Sequence, residues 1–231
     1  MNQAKQERSP KNRMEWGFKL FSVFILLDSI ACSPLSLSSS KIEELPLTSP
    51  PGTSIAAFAE GCFWCSEHIF ESIPGVKEVV SGYAGGHTEN PTYDSVNTET
   101  TGHAETVLVY YDPSKIQFAE LCRIFFLSHD PTTKDRQGPD IGSSYRSILF
   151  YKTDREKKIA IEIQKEIAVA NVWRNPIISE ILELKRFTKA EGYHQDFIKR
   201  NPNQSYVRNV SIPRYYEFQK RYLDYRKSKS Q

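Results

Sequence analysis

Cysteine is scarce in this sequence: four in 231 residues, at positions 32, 62, 65 and 122. So few and so uneven a set excludes the disulfide scaffold with which small secreted domains staple a thin core, and each thiol has to be explained singly. Net charge is scarce too. Thirty Lys and Arg face 28 Asp and Glu, and since five of those cations and three of the anions precede Cys32, the remainder holds 25 of each. A neutral body lacks the electrostatic footprint of a phosphate-backbone binder, so no nucleic acid is expected as a partner. No apolar run approaches the ~20 residues of a membrane-spanning helix, and no internal repeat is visible. What is present is 39% apolar and 25% charged, the balance of a globular chain long enough for one sizeable domain and an appendage.

The appendage is N-terminal. Residues 1–19 are polar and basic, and residues 20–27 (Leu-Phe-Ser-Val-Phe-Ile-Leu-Leu) form a compact apolar run of signal-peptide length. Ala31 before Cys32, with Ser33 after it, resembles a bacterial lipoprotein processing site, although Ser29 stands where that pattern usually has Leu. The resemblance implies removal of residues 1–31, lipidation of Cys32 and membrane attachment, with the body exported to the periplasm or cell surface. The alternative is a cytoplasmic chain with an idle extension. Residues 32–54, rich in Ser and Pro, read as a tether with no core of its own, leaving 55–231 as the folded domain.

Within that domain the segments alternate. Residues 55–59 are apolar and suit a buried strand, and 62–73 carry Cys65, Ile69 and Ile73 at helical spacing until Pro74-Gly75. Residues 76–83 and 104–111 are β-branched strands. Phe118, Leu121, Cys122 and Phe125 form a helical stripe over 116–128, with Cys122 inward. Strands over 145–151 and 178–187 flank an amphipathic helix over 154–170. The order β-α-β-β-α-β predicts an α/β (α+β) two-layer sandwich with a ferredoxin-like split βαβ core. The last 40 residues read as an irregular extension wrapping the surface, with a short helix near 215–225.

Gly61-Cys62-Phe63-Trp64-Cys65 sits at the first strand–helix junction. A thiol there meets unpaired backbone N–H groups and the positive end of the helix dipole, which favour thiolate. A small buried hydrophobe is the competing reading of Cys62. A zinc site from Cys62, Cys65 and His68 lacks the second pair that would close it.

Ten motifs then fall in one order: Gly61-Cys62-Phe63-Trp64, Pro74-Gly75-Val76, Gly82-Tyr83-Ala84-Gly85-Gly86, Asn90-Pro91-Thr92-Tyr93, Thr101-Gly102-His103-Ala104-Glu105, Tyr111-Asp112-Pro113, His129-Asp130-Pro131, Arg136-Gln137-Gly138-Pro139-Asp140, Gly142-Ser143-Ser144-Tyr145-Arg146-Ser147 and Tyr193-His194-Gln195-Asp196. Together they resemble the A-type peptide methionine sulfoxide reductases from about residue 56 to 215. The resemblance implies Cys62 as the nucleophile, Phe63 and Trp64 as an aromatic wall for the S-methyl group, and Glu105, Tyr93 and Tyr145 as partners of the sulfoxide oxygen. It implies Asp140 at the pocket rim and His194 beside the substrate, with His68, His87 and His129 structural. It also implies the S-epimer of methionine sulfoxide, free or in peptides, as substrate for a monomer with no bound cofactor or metal, recycled by a thioredoxin-like dithiol. Many relatives resolve the sulfenic acid with a C-terminal cysteine. This chain has none after Cys122, which points to Cys65. A thiol–disulfide oxidoreductase built on Cys62 and Cys65 is the rival reading.

Overall fold

The computed structural model describes residues 42–229, so Cys32 and the signal-peptide reading lie outside the described residues. Among these residues the chain runs β1 (Glu43–Glu44), β2 (Ser54–Glu60), α1 (Phe63–Glu71), β3 (Val76–Ala84), α2 (Tyr93–Val96), β4 (Ala104–Tyr111), α3 (Phe118–Ser128), β5 (Arg136–Gln137), β6 (Asp140–Ile141), a 3₁₀ turn (Ser143–Tyr145), β7 (Ser147–Tyr151), α4 (Asp154–Val169), β8 (Glu180–Glu183), β9 (Thr188–Lys189), α5 (Phe197–Arg200), a π-turn (Val207–Ser211) and α6 (Ile212–Lys229).

The main sheet has the order β1-β9-β3-β4-β2-β7-β8. Its centre, β3-β4-β2-β7, is antiparallel throughout, the arrangement that two split βαβ units produce. β2 and β4 read as nearly continuous apolar runs because both faces of the sheet are covered. Ala56 and Phe58 point to the helical layer, whereas Ile55, Ala57 and Ala59 point the other way. On the helical side Phe58 stacks on Phe70 of α1, ring centroids 4.8 Å apart, and on Phe125 of α3 at 5.5 Å. One side chain thus fixes both helices over the strand that leads into the thiols. Truncating such a residue costs about 3–5 kcal/mol.

Three expectations are corrected. Residues 43–47 do not behave as tether: β1 pairs with β9, the Leu45 N–H donates to the Phe187 carbonyl at 3.0 Å, and Leu45 and Leu47 pack on the second face of the sheet. That face would otherwise expose Ile55, Ala57, Ile148 and Phe150, so burying it outweighs the entropy of a free segment. The strand expected over 178–187 is split. β8 joins β7 in parallel at one edge, and the chain crosses the second face through the buried Leu184 and Phe187 to place β9 against β3. The C-terminal extension is not irregular. Residues 212–229 of it are α6, whose Phe218 and Tyr225 are buried in the helical layer. Pro213, which has no N–H to donate, stands two residues past the π-turn over 207–211, inside a helical run that is continuous from Ser205.

Candidate active site

Gly61 makes the turn from β2 into α1 with φ of +89°, and a Cβ there would lie 2.5 Å from the Cβ of Gln137. Glycine alone allows both the left-handed backbone and the close approach of β5. Cys62 follows as the residue that precedes the first turn of α1. Glu105, the second residue of β4, lies opposite Tyr83 in the ladder on the same face as Val107 and Val109, and its Oε2 accepts the Phe63 N–H at 2.9 Å. Strand alternation and the open helix N-terminus together bring this carboxyl beside the thiol.

The remaining expected residues converge from four separate segments. Tyr93 opens α2, Asp140 opens β6, Tyr145 ends the 3₁₀ turn, and Phe63 and Trp64 open α1. Burial raises the Tyr145 hydroxyl, and the charges of Glu105, Tyr93, Asp140 and Cys62 add to it, so these four groups lie within electrostatic reach of Tyr145. Phe63 is buried between Tyr83 and His194, with centroids at 5.9 and 4.9 Å. Trp64 stacks flat on Phe197 at 3.7 Å and meets Tyr206 edge-on at 6.0 Å. His194 is 1% exposed, and its Nδ1 accepts the Trp64 indole N–H at 3.1 Å. Burial pushes its imidazole down to about 4, so it is neutral. It holds Trp64 in place by that bond, and its ring lies 4.5 Å from that of Tyr93.

Burial pushes the Glu105 carboxyl up to about 8, with the Asp140 charge adding to it against the Phe63 N–H. A carboxylic acid that keeps its proton at neutral pH beside a thiol is equipped to donate that proton to an oxygen gaining charge.

The thiols depart from the expected arrangement. A dipole-activated Cys62 thiolate was anticipated, but Cys62 is 6% exposed and burial holds its proton well above the ordinary thiol range. The Cys62 thiol instead donates to Cys65, whose sulfur is lowered to about 6 by that hydrogen bond, against burial, with help from the charge of Arg214 and from Ser211. Cys65 is thus the sulfur of the pair whose proton is held less firmly, and as a thiol it donates to Ser211 Oγ at 3.2 Å. Cys122 sits on the buried face of α3, and burial raises its thiol.

Several residues at the site were not read from the sequence. Glu191 accepts the Tyr83 hydroxyl and the Tyr93 N–H, both at 2.9 Å, and so fixes Tyr93. Glu99 accepts from the Ser143 hydroxyl at 2.6 Å and from the Ser144 N–H and hydroxyl at 2.9 and 2.7 Å, which fixes the turn ending in Tyr145. The Tyr206 hydroxyl donates to Asp140. Glu60, fully buried at the end of β2, pairs with Arg214 of α6 at 2.8 Å. Only Glu60 left a trace in the sequence, as a charge closing an apolar strand, a position that demands a buried partner.

Fold and site define a thiol-based oxidoreductase with a neutral acid facing its nucleophile. The family model for peptide methionine sulfoxide reductase matches residues 54–227. The peptide methionine sulfoxide reductase MsrA 1 of Rhodopirellula baltica is 45% identical over 174 residues, 75% of this chain and 90% of that protein. The MsrA of Thermus thermophilus is 46% identical over 160 residues, 69% of this chain and 90% of its own length. Among solved structures, Mxr1 of Saccharomyces cerevisiae in its reduced form aligns with a TM-score of 0.63 at 34% identity, covering 71% of this chain and 92% of that one. Methionine sulfoxide reductase A of Corynebacterium diphtheriae aligns at 0.60 with 36% identity, covering 67% and 78%. The chain belongs to the peptide methionine sulfoxide reductase family, and it is an enzyme of methionine sulfoxide reduction.

Proposed function

We propose that this chain reduces the S-epimer of methionine sulfoxide, free or in peptides, through a sulfenic acid on Cys62 that Cys65 resolves. The observation that carries the reading is the buried, protonated Glu105 on the N–H of Phe63, the residue next to Cys62. As the Cys62 sulfur bonds to the sulfoxide sulfur, the oxygen gains charge and takes the Glu105 proton. Cys62 gives up its own proton to Cys65, the partner to which it already donates. Transfer of oxygen to sulfur then yields methionine and Cys62 sulfenic acid, so that one thiol and one sulfoxide become one sulfenic acid and one thioether. Phe63 and Trp64 offer the S-methyl an apolar, polarisable surface, a favourable setting for sulfur and methyl alike.

Resolution joins Cys62 and Cys65 in a disulfide and releases the hydroxyl as water. The two sulfurs already share a hydrogen bond, so the bond forms without a large backbone movement. A thioredoxin-like dithiol then reduces this disulfide to two thiols and is itself oxidised. The apolar run over residues 20–27 with Ala31 and Cys32 supports an exported, lipid-anchored protein, for which that donor would be exported as well.

Peptide mapping after one turnover without reductant tests the scheme. The expected product is a Cys62–Cys65 disulfide with one equivalent of methionine. Cys62→Ser should make no methionine. Cys65→Ser should still release one equivalent and then stall with thioredoxin, and unimpaired cycling of Cys65→Ser would sink the resolving role.

A further inference from the structure

The polar cluster beneath the thiols is larger than sulfoxide chemistry requires. Arg214 reaches in from α6, its Nη2 donating to Glu60 Oε1 at 2.8 Å and its Nε to the Ser128 carbonyl at 3.0 Å. The other Glu60 oxygen accepts the Ser128 hydroxyl at 2.6 Å. The guanidinium is therefore held at two points, and its Nη1 lies 3.6 Å from the place a Cβ on Gly61 would occupy, directly before Cys62. Three residues back along the same segment, Ser211 Oγ accepts the Cys65 Sγ–H at 3.2 Å. That hydroxyl is free to turn and donate once the sulfur is charged. The π-turn over 207–211 before α6 sets this register, and single π-turns are common where a helix must aim a functional group. This chain thus brings a fixed cation and a hydroxyl to the thiols from its C-terminal segment.

We infer that Arg214, clamped by Glu60 and the Ser128 carbonyl, is a positioning residue that keeps Cys65 the negative sulfur of the pair. It thereby makes Cys65 the attacker on the Cys62 sulfenic acid and, later, the sulfur that departs. In the first step Cys65 gives up the proton it took from Cys62, its thiolate forms the S–S bond as the S–O bond of Cys62 breaks, and the hydroxide leaves with that one proton as water. In the second, a thiolate of the external dithiol attacks Cys62 Sγ and the S–S electron pair leaves with Cys65, again beside Arg214. Attack is thereby directed to Cys62, the sulfur whose partner leaves more easily. This inference rests on the resolving role of Cys65. The charged and titratable groups acting on Cys65 are Cys62, Arg214, Asp140, Glu105, Glu60 and Tyr206. Arg214 is the cation in that set, while burial keeps the proton on Cys62, Glu105 and Tyr206 and raises Glu60 to about 7.

The test is an ultraviolet thiolate titration in a Cys62→Ser background, whose hydroxyl keeps a donor to Cys65, read as the difference from the same chain with Cys65→Ser. With the rest of the cluster unaltered, Cys65 should titrate below the ordinary thiol range. Arg214→Met should raise that midpoint by about 1–2 pH units, and Arg214→Lys should restore most of the loss. Rescue by the conservative cation is not what a purely structural role produces. With Cys62 restored, Arg214→Met should slow disulfide formation after one turnover about fourfold at pH 7 for a midpoint near 7.5, and the deficit should close as pH rises. Should Arg214→Met fail to fold with Glu60 left alone, Glu60→Gln/Arg214→Met takes its place with the same rise expected. An unchanged midpoint in either folded variant overturns the inference. If instead the midpoints shift but no Cys62–Cys65 disulfide ever forms, the resolving role fails while the electrostatic role of Arg214 stands.

Discussion

Glu105→Gln isolates the proton from the shape of the side chain that carries it. The glutamine carbonyl can still accept the Phe63 N–H that Glu105 holds at 2.9 Å, so the start of α1 and the position of Cys62 are preserved while the transferable proton is lost. Removing a general acid of this kind costs on the order of 10²–10⁴ in rate. The assay is a single turnover of a methyl sulfoxide without added reductant, which reads the reduction step apart from recycling. Because the Glu105 carboxyl is pushed up to about 8 by burial, the rate in the unaltered chain should fall tenfold per pH unit above that value. The glutamine variant should show no such alkaline limb. The same shift has a consequence for stability. The unfolded chain releases this proton above 4.5 and the folded chain keeps it to about 8, so stability is fully present below 4.5 and is lost as pH rises through 8. Over that window the loss is roughly 5 kcal/mol at 1.36 kcal/mol per pH unit, and Glu105→Gln should flatten that part of the stability profile. A variant within tenfold of the parent rate, or one retaining the alkaline limb, would refute the assignment of Glu105 as the acid.

With the S-methyl against Phe63 and Trp64 and the oxygen held by Glu105, Tyr93 and Tyr145, two substituents of a pyramidal sulfur are fixed, so resolved sulfoxides should show turnover of one epimer only, and comparable rates for both would contradict the pocket. Gly61→Ala places a methyl 2.5 Å from Gln137 at φ of +89° and should cost about 1–3 kcal/mol in chemical denaturation; a loss near zero would mean that β5 yields freely. For the N-terminus, mass spectrometry of the mature protein should find Cys32 as the first residue with lipid attached, and an intact segment 1–31 would remove the export reading.

The organisation of the site explains why so many of its members are glutamates. Glu60, Glu99, Glu105 and Glu191 each satisfy donors that the fold leaves open: a guanidinium, a 3₁₀ turn, a helix N-terminus, and a tyrosine with the first N–H of α2. Each ties a catalytic or wall residue to a distant segment. Such ties allow elements as short as α2 and the 143–145 turn to present Tyr93 and Tyr145 to one point, although neither is long enough to hold itself by helix propensity.

Sequence alone determined the sandwich and singled out the candidate reactive residues. Strand β4 over 104–111 and the strand–helix junction at Gly61 were legible because β-branched apolar runs, glycine and proline act locally. Cys62, Glu105, Tyr93 and Tyr145 were legible because each lies in a motif whose residues are neighbours along the chain. Tertiary structure decided the rest. That residues 43–47 pack rather than hang free depends on the bare second face of a sheet assembled from distant strands. Which sulfur of the thiol pair holds its proton less firmly depends on Ser211 and Arg214, nearly 150 residues beyond Cys65. A pKa is set by burial and by charges that approach through space, and neither quantity is written into the order of residues around a cysteine.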